Sequence, residues 1–368
     1  MNKIKRITEI VLPHVIIKKL KRIKKNYLDF KNTKLLGLFG GTFFLANCYY
    51  FFFSREFIRE HKAVLAGKKK YYESLKNEVS SSYLLRRNIH RLEKGLIMPK
   101  RRKVFALDFI GETVDEYVRV VEYSKRQFSV DELKWATDVL VEYFSAVDVE
   151  SKELLKACKA KFESVKNDRT NRLEAPTFTP FIRDYDKEQI DFDSFFELCK
   201  KRRSVRFFTS EPPAKSTVDL AIKASLQSPS ACNRQPFSFR IFDEPSKVQE
   251  VAAIPAGTKT FYKEIPGVIV VVGHLDAYYR ERDRHAIYVD GSLAVMSLIL
   301  AFETLGISSC VINWGDEEPA ESRMNKLLNL QASDRVLMLV AYGYPDQTTK
   351  VPFSSKRETE TVRTYNEY

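Results

Sequence analysis

Two short stretches in the second half of the chain carry side chains that could bind an anion. The first, RRSVR, places four such residues within five positions: Arg202, Arg203, Ser204 and Arg206. Arginine offers planar, bidentate hydrogen-bond donors that suit a phosphate group. The second, SPSACNRQPF, crowds several hydrogen-bonding side chains between two prolines at residues 228–237. Alone, the first pattern is typical of a solvated basic surface, and the second is either a solvated turn or a binding loop.

Motifs of several other enzyme classes are absent from the sequence. No GxGxxG follows a predicted strand, and there is no GxxxxGK[ST] phosphate loop. The GxSxG elbow and the SxxK motif are missing too, so serine nucleophile chemistry has no support. The five cysteines and five histidines are scattered, without CxxC or HExxH spacing. This spacing favours reduced thiols in a cytoplasmic compartment and argues against a metal site.

Helix and strand patterns alternate from residue 193 onward and must position the two stretches. Strands are predicted at residues 237–242 and 266–274, and then in SSCVIN and RVLMLVAYG. One predicted helix, SFFELCKKRRSVRFF, ends in the arginine stretch, and another occupies PAKSTVDLAIKASLQ. A long apolar helix is predicted over residues 285–306, where Gly306 ends it. Short buried strands between helices indicate α/β or α+β layers around one sheet.

The first half of the chain shows mainly helical patterns. Residues 54–168 show apolar positions at helical spacing, so we expect a mainly α-helical region. Its most distinctive part is HRLEKGL at residues 90–96. This stretch fits an ion-paired helix end better than a polar site. It is also the stretch of the first half that we most expect to contact the second half. A polar, proline-interrupted linker follows at residues 167–192. The expected regions are therefore 1–53, 54–190 and 191–368.

The formal charge of +13 is concentrated at the start of the chain. Residues 1–34 hold eleven Lys or Arg against two acidic residues, a local excess of +9. Apolar residues recur there at roughly helical spacing, which predicts an amphipathic surface helix. An anionic membrane surface is one partner for such a segment, and a solvated leader without a partner is the alternative. Nucleic-acid binding is weaker, because no stacking aromatics are interleaved with the charge.

An uncharged run, LLGLFGGTFFLANCYYFFF, follows at residues 35–53. Nineteen residues approach the length that spans a bilayer, and lysines precede the run as on a cytoplasmic flank. Asn47, Thr42 and the central glycines argue against insertion. We therefore favour a buried aromatic segment over a membrane-embedded one, and the run is no signal peptide because no cleavage site follows.

The order of motifs in the second half resembles the nitroreductase family of FMN-dependent oxidoreductases. RRSVRFF precedes SPSACNRQPF, the apolar helix begins near Asp290, and GISSCVINW, AYGYPD and a late Lys356-Arg357 pair follow. The resemblance covers roughly residues 195–360. It implies an α+β fold with a central mixed sheet flanked by helices, a homodimer with FMN at its interface, and a dimer-packing role for the helix over 285–305.

The resemblance also implies individual roles. The arginine stretch matches the segment that holds the flavin phosphate and the polar edge of the ring, and the loop at 228–237 matches the one that reaches the same flavin from the partner subunit. Asn313 matches the strand end near flavin N5 and is the single candidate catalytic residue. The full expected cofactor set is Arg202, Arg203, Ser204, Arg206, Pro229, Ser230, Ala231, Asn233, Gln235, Ile312, Asn313, Lys356 and Arg357.

FMN performs the redox chemistry in such a site, so the protein need not supply a strong acid or nucleophile. The expected activity is ping-pong, two-electron reduction of a nitroaromatic, quinone, enone or related small acceptor by NAD(P)H in the cytoplasm, with residues 1–53 as a contact to a membrane surface. The alternative is a non-catalytic flavin-fold scaffold recruited to a membrane or an assembly, serving surface-glycan biosynthesis.

Overall fold

The computed structural model describes residues 14–30, 34–54, 56–76, 82–123, 129–165, 177–183 and 190–367. The chain divides into two compact units, residues 1–61 and 62–368. The expected leader helix lies partly outside the described residues, as does most of the expected linker at 167–192.

The described part of the first unit includes the helices α1 (His14–Phe30), α2 (Leu36–Phe39) and α3 (Phe43–Phe52). The apolar run is not one continuous helix, because the chain turns at Gly40 and Thr42 starts α3 by accepting a hydrogen bond from the Leu45 N–H at 3.3 Å. Phe43 and Phe51 are 94% and 79% exposed, and within α3 only Tyr49 is buried. The expected burial of this aromatic segment is therefore wrong.

A helical region forms the first part of the second unit. Its helices are α4 (Ile58–Ser74), α5 (Tyr83–Leu96), α6 (Ile110–Tyr123), α7 (Val130–Ala146) and α8 (Glu153–Val165), and α4 starts a few residues before the unit boundary. Apolar residues at helical spacing give α5 to α8 a common core, with Leu92 and Tyr143 fully buried. Inside that core the Tyr117 and Thr137 hydroxyls are 2.8 Å apart, so the buried polar atoms are paired. The predicted helical character of this region is confirmed.

The remainder is an α+β domain. Its helices are α9 (Phe192–Lys201), α10 (Lys215–Ser225), α11 (Pro245–Ala252), α12 (Ala286–Thr304) and α13 (Ala320–Leu328). Its strands are β1 (Phe237–Phe242), β2 (Gly267–His274), β3 (Ser308–Asn313) and β4 (Asp334–Gly343), in the order β1-β2-β4-β3. All strand pairs are antiparallel, and the parallel part of the expected mixed sheet is a single bridge between Ser204 and Ser309.

Both faces of the sheet are covered by helices. Along β2, Val268, Val270 and Val272 pack into the layer that contains α11 and α13, whereas Ile269 and Val271 pack toward α10 and α12. The alternation follows from the two-residue period of a strand, and it explains why the whole of β2 is apolar. By length and apolar composition, one described helical stretch, Glu281–Thr304, could cross a membrane; it contains α12, which supplies much of this core.

The helical region packs closely on one end of the sheet. Gly67 of α4 has no room for a side chain, because a Cβ there would lie 2.8 Å from the backbone carbon of Leu275. Lys68 and Lys70 flank this contact, pairing with Glu281 at 2.6 Å and with Asp276 at 2.8 Å. The end of the sheet that follows β2 is therefore built jointly by the helical region and the α+β domain.

Candidate functional site

The loop at residues 228–236 leads directly into β1 and has an unusual backbone. Cys232, Asn233 and Gln235 all have left-handed φ values, at 54°, 50° and 50°. Asparagine tolerates this region, but it is costly for the other side chains, at roughly 1–3 kcal/mol each. Such a loop keeps its shape only if surrounding contacts determine it.

Asp290, near the start of α12, supplies one of those contacts. Its Oδ2 accepts hydrogen bonds from the Ala231 N–H at 3.0 Å and from the Tyr278 hydroxyl at 3.1 Å. The Arg234 guanidinium lies 4.6 Å from the centre of the Tyr278 ring, and both Asp290 and Arg234 are buried. Burial raises the pKa of Asp290, and the Ala231 N–H, the Tyr278 hydroxyl and the Arg234 charge oppose that shift.

The loop is also closed by its own side chains. The Ser230 hydroxyl accepts from the Gln235 N–H at 3.0 Å, and the Gln235 amide donates to Asn233 Oδ1 at 3.0 Å. Pro236 is buried, and its carbonyl accepts from the His274 N–H at 2.9 Å. Pro229 and Ala231 are exposed, so this prebuilt loop presents its tip to the solvent in one chain.

The arginine stretch lies where α9 ends. The Val205 N–H donates to the Ser309 carbonyl at 3.0 Å, which attaches the stretch to the outer edge of β3. Arg206 donates to the Ser204 carbonyl at 3.2 Å, and Arg203 donates to the Phe353 carbonyl at 2.8 Å. The Nε of Arg202 is buried and has no hydrogen-bond partner among the described residues.

The remaining expected residues lie at the end of β3 and in the late basic segment. Asn313 is exposed at the end of β3, whereas the Ile312 side chain is buried in the core. The Arg203–Phe353 bond brings the late basic segment toward the arginine stretch. Lys356 and Arg357 are exposed, and Arg357 donates to the Thr361 carbonyl at 2.8 Å.

The loop and the arginine stretch belong to opposite edges of the sheet. The loop enters β1, and the arginine stretch lies beside β3, with β2 and β4 between them. Three inter-strand steps of about 4.8 Å put the two edge strands about 14 Å apart. No hydrogen bond or ion pair between described residues joins these two groups. One chain therefore presents two separate half-sites.

A third polar cluster lies at the end of β2. His274 contacts Asp334 Oδ1 through Nδ1 at 2.9 Å and the Ser238 hydroxyl through Nε2 at 3.0 Å, with Asp276 nearby. Although burial acts to raise it, the pKa of Asp334 is lowered by His274, the Gln331 N–H and Lys70. These groups could ligate a cation, but the Lys70 ammonium already provides positive charge at Asp276. The cluster is best described as a structural ion-pair network.

The HRLEKGL stretch is an ion-paired helix end, as favoured from the sequence. His90 and the Trp135 indole both contact Glu93, at 3.3 and 2.9 Å, and Arg91 pairs with Asp108 at 3.1 Å. The contact with the α+β domain comes one turn earlier on the same helix, where Arg86 Nε donates to the carbonyl of Asn233 at 2.8 Å.

Sequence reasoning missed the residues that hold the loop. The sequence places Asp290 in a motif without indicating its role, and it predicts no role for Tyr278, Arg234 or Arg86. Their partners are 12 to 147 positions away, so local patterns carry no signal for these contacts.

Removing the Asp290 carboxylate should destabilise the folded chain. Asp290→Ala leaves the Ala231 N–H and the Tyr278 hydroxyl without their acceptor. Because an unsatisfied buried donor is costly, we expect a loss of about 2–3 kcal/mol in the free energy of unfolding. Asp290→Asn keeps an acceptor for Ala231 and should lose less. Urea unfolding of both variants checks this, and an Asp290→Ala variant as stable as the natural chain would contradict it.

The α+β domain is similar in sequence to known proteins. Residues 199–258 and 244–344 match the model described as the nitroreductase family. Iodotyrosine deiodinase of Thermotoga neapolitana is 29% identical over 175 residues, 41% of this chain and 88% of that protein. Iodotyrosine deiodinase 1 of Rattus norvegicus is 24% identical over 45% of this chain and 66% of that protein.

Among solved structures, an FMN-dependent nitroreductase from Clostridium difficile is 22% identical with a TM-score of 0.41, covering 47% of this chain and 99% of that one. A nitroreductase family protein from Streptococcus pneumoniae is 23% identical with a TM-score of 0.41, covering 46% of this chain and 99% of that one. The match to the family model extends from the end of α9 to the start of the segment after β4, and it contains both half-sites. The α+β domain of this chain is a member of the nitroreductase family, a family of oxidoreductases.

Proposed function

We propose that the chain is an FMN-dependent oxidoreductase whose flavin sites form between two copies of the chain. The observation that carries this proposal is the separation of the two half-sites. The arginine stretch at the β3 edge suits a phosphate but lacks the loop. The loop at the β1 edge is prebuilt, and its one arginine, Arg234, is buried over the Tyr278 ring rather than exposed to a phosphate. In a symmetric pair of chains, the arginine stretch of each copy would meet the loop of the other copy.

The arginine half-site fits FMN in its chemistry. Arg202, Arg203 and Arg206 provide fixed positive charge for a phosphate dianion, and Lys356 and Arg357 follow the segment that Arg203 anchors. The buried, unpaired Nε of Arg202 is a donor that a ligand oxygen would satisfy. When bound, FMN would supply the two-electron redox chemistry, and the protein would bind and orient it.

The surface of α12 supports a homodimer. Val289, Leu293 and Met296 form an exposed apolar stripe at positions i, i+4 and i+7, and α9, which packs beside α12, exposes Phe192 and Phe195. A contiguous exposed apolar patch of this kind marks an interaction surface. A dimer formed on this face would remove the apolar stripe of α12 from the solvent.

The loop is fastened to the same helix. Asp290 binds the Ala231 N–H, and the Ser228 and Ser297 hydroxyls are 2.7 Å apart. A partner that packs on the exposed stripe of α12 would therefore meet the loop at a fixed position. This arrangement supports the assignment of Ser230 and Asn233 to the flavin of the partner subunit.

The proposed reaction is ping-pong reduction of a small organic acceptor, with NAD(P)H as electron donor. Nitroaromatics, quinones and enones are the proposed acceptors, and the names of the curated relatives add iodinated phenols to this group. Asn313, exposed at the end of β3, is the proposed residue near the reacting edge of the ring. A non-catalytic flavin-fold scaffold serving surface-glycan biosynthesis is the competing function, and flavin content separates the two.

Purified protein should be yellow and should bleach when NADPH or NADH is added without oxygen. Arg202→Ala and Arg206→Ala each remove a charged donor from the phosphate half-site, so we expect at least a tenfold weaker retention of FMN. Arg240→Ala is the matched control, because Arg240 is exposed on β1 at the other edge of the sheet. Flavin absorbance after gel filtration provides the measurement.

A colourless protein that FMN cannot reconstitute would contradict the enzyme and favour the scaffold. Equal flavin content in the Arg206→Ala and Arg240→Ala variants would refute the assignment of the phosphate half-site. For a protein that does bleach, the rate of reoxidation by a nitroaromatic, a quinone, an enone and iodotyrosine identifies the acceptor class.

We also propose that the first unit holds this cytoplasmic enzyme at an anionic membrane surface. Lys18, Lys19, Lys21 and Arg22 are exposed on α1, and four phenylalanines are exposed on α3: Phe43, Phe44, Phe51 and Phe52. Basic side chains together with exposed aromatic ones are the combination that binds an interface rich in anionic lipid.

The full chain should float with vesicles that contain phosphatidylglycerol and remain behind with vesicles of phosphatidylcholine alone. Substituting Lys18, Lys19, Lys21 and Arg22 by glutamine should reduce the floating fraction several-fold, because the electrostatic attraction is removed. Replacing four exposed lysines elsewhere by glutamine, Lys69, Lys152, Lys215 and Lys247, is the control. Equal flotation with both lipids and in both variants would contradict the proposal.

A further inference from the structure

We propose that Arg86, in the helical region, is a positioning residue for the flavin loop of the α+β domain. The inference rests on the proposed function of the loop at 228–236, and it assigns a part in that site to a region outside the family match. Arg86 would act through the loop and need not touch the flavin itself.

Arg86 joins two parts of the chain that are distant in sequence. Its Nε donates to the Asn233 carbonyl at 2.8 Å, a contact between residues 147 positions apart. A hydrogen bond from a charged guanidinium is stronger than one between neutral groups. The Arg86 side chain is only 15% exposed, so water competes weakly for this contact.

The guanidinium is itself held in place from α7. Its Nη1 lies 3.0 Å from Glu132 Oε1, and its central carbon lies 5.6 Å from the centre of the Trp135 ring. Trp135 is fixed in turn by the bond from its indole N–H to Glu93 at 2.9 Å. With one ion pair and one ring contact, the Arg86 side chain is oriented before it meets the loop.

The position of the contact within the loop explains why it matters. Asn233 has φ +50° and lies between two other left-handed residues, Cys232 and Gln235. Because this backbone is intrinsically unfavourable, the direction of its carbonyls depends on outside contacts. Asp290 fixes the loop at the Ala231 N–H, and Arg86 fixes it two residues later at the Asn233 carbonyl.

Two hydrogen bonds from different regions thus hold the loop, and we call each of them a clamp. The Asp290 clamp belongs to the α+β domain, whereas the Arg86 clamp belongs to the helical region. In the proposed dimer the loop serves the flavin of the partner subunit, so the helical region of one chain would set the geometry of a site in the other. This gives residues 82–146 a role in the enzyme as well as in its architecture.

The test compares two arginines of the same helix. Arg86→Gln removes the loop contact, whereas Arg91→Gln removes an arginine that pairs with Asp108 and lies 3.5 Å from the centre of the Phe109 ring, without touching the loop. Hydrogen–deuterium exchange of residues 231–237 in the flavin-free full chain reports on the loop directly. We expect at least tenfold faster exchange there in Arg86→Gln and no change in Arg91→Gln.

The flavin-loaded chain gives the second readout. FMN should dissociate about tenfold more readily from Arg86→Gln than from Arg91→Gln, although the two variants have similar melting temperatures. Arg86→Lys, which keeps a positive donor, should recover part of the loop protection. Glu132→Gln should loosen the loop less than Arg86→Gln, and the double variant should be no worse than Arg86→Gln alone, because Glu132 acts through Arg86.

Unchanged loop exchange in Arg86→Gln would overturn the proposal, as would equal loosening in Arg91→Gln. Should Arg86→Gln fail to fold, Glu132→Gln decides: faster exchange confined to residues 231–237 supports the clamp, and unchanged exchange refutes it. Failure of the proposed function would give a different result. The natural protein would then bind no FMN, but loop exchange would still be faster in Arg86→Gln than in Arg91→Gln.

Discussion

The buried carboxylate of Asp290 is the contact on which the candidate site depends. It binds the Ala231 N–H and the Tyr278 hydroxyl, and it faces the buried charge of Arg234. A carboxylate this buried is stable only when it is hydrogen-bonded and paired with a cation. These partners come from the loop and from the segment after β2. One side chain therefore fixes the loop to α12, whose outer face presents the apolar stripe.

The sheet sets the second constraint. Its order, β1-β2-β4-β3, keeps the loop at one edge and the arginine stretch at the other. Neither half-site is complete in one chain. The arginine stretch has no loop beside it to contact a flat ring, and the loop has no exposed arginines beside it to bind a phosphate. The proposed twofold symmetric dimer would complete both, because each copy would contribute both half-sites and two equivalent sites would result. The exposed apolar residues of α12 and α9 form a surface suited to that contact.

Much of the α+β domain could be predicted from the sequence, because its elements carry local signals. The apolar runs of β2 and β4 and the alternation in β1 place the strands almost to the residue. Gly306 ends the long helix region as expected, and its φ of 73° shows why glycine stands there. The arginine stretch and the loop could be singled out by composition and by their resemblance to one family.

Contacts between distant parts of the chain could not be predicted. Nothing local to Arg86 indicates that its partner is Asn233, and nothing near Ser204 indicates that it joins the edge of β3. The expected burial of the aromatic run at 35–53 is wrong for a related reason. The composition of the run resembles that of a core helix, but the chain breaks at Gly40 and Thr42, and α3 has exposed phenylalanines. Burial is decided by what packs against a segment, and the composition of the segment alone does not contain that information.

The shared site can be tested most directly with mixed dimers. One chain would carry Asn233→Ala in the loop, the other Arg206→Ala in the phosphate half-site, and two different tags would isolate the mixed pair. If each flavin is held by the arginines of one chain and the loop of the other, one site of the mixed dimer is intact. The account therefore predicts about one FMN per mixed dimer, whereas each variant homodimer retains little. A mixed dimer as flavin-poor as both homodimers, or a chain that forms no dimer, would contradict it.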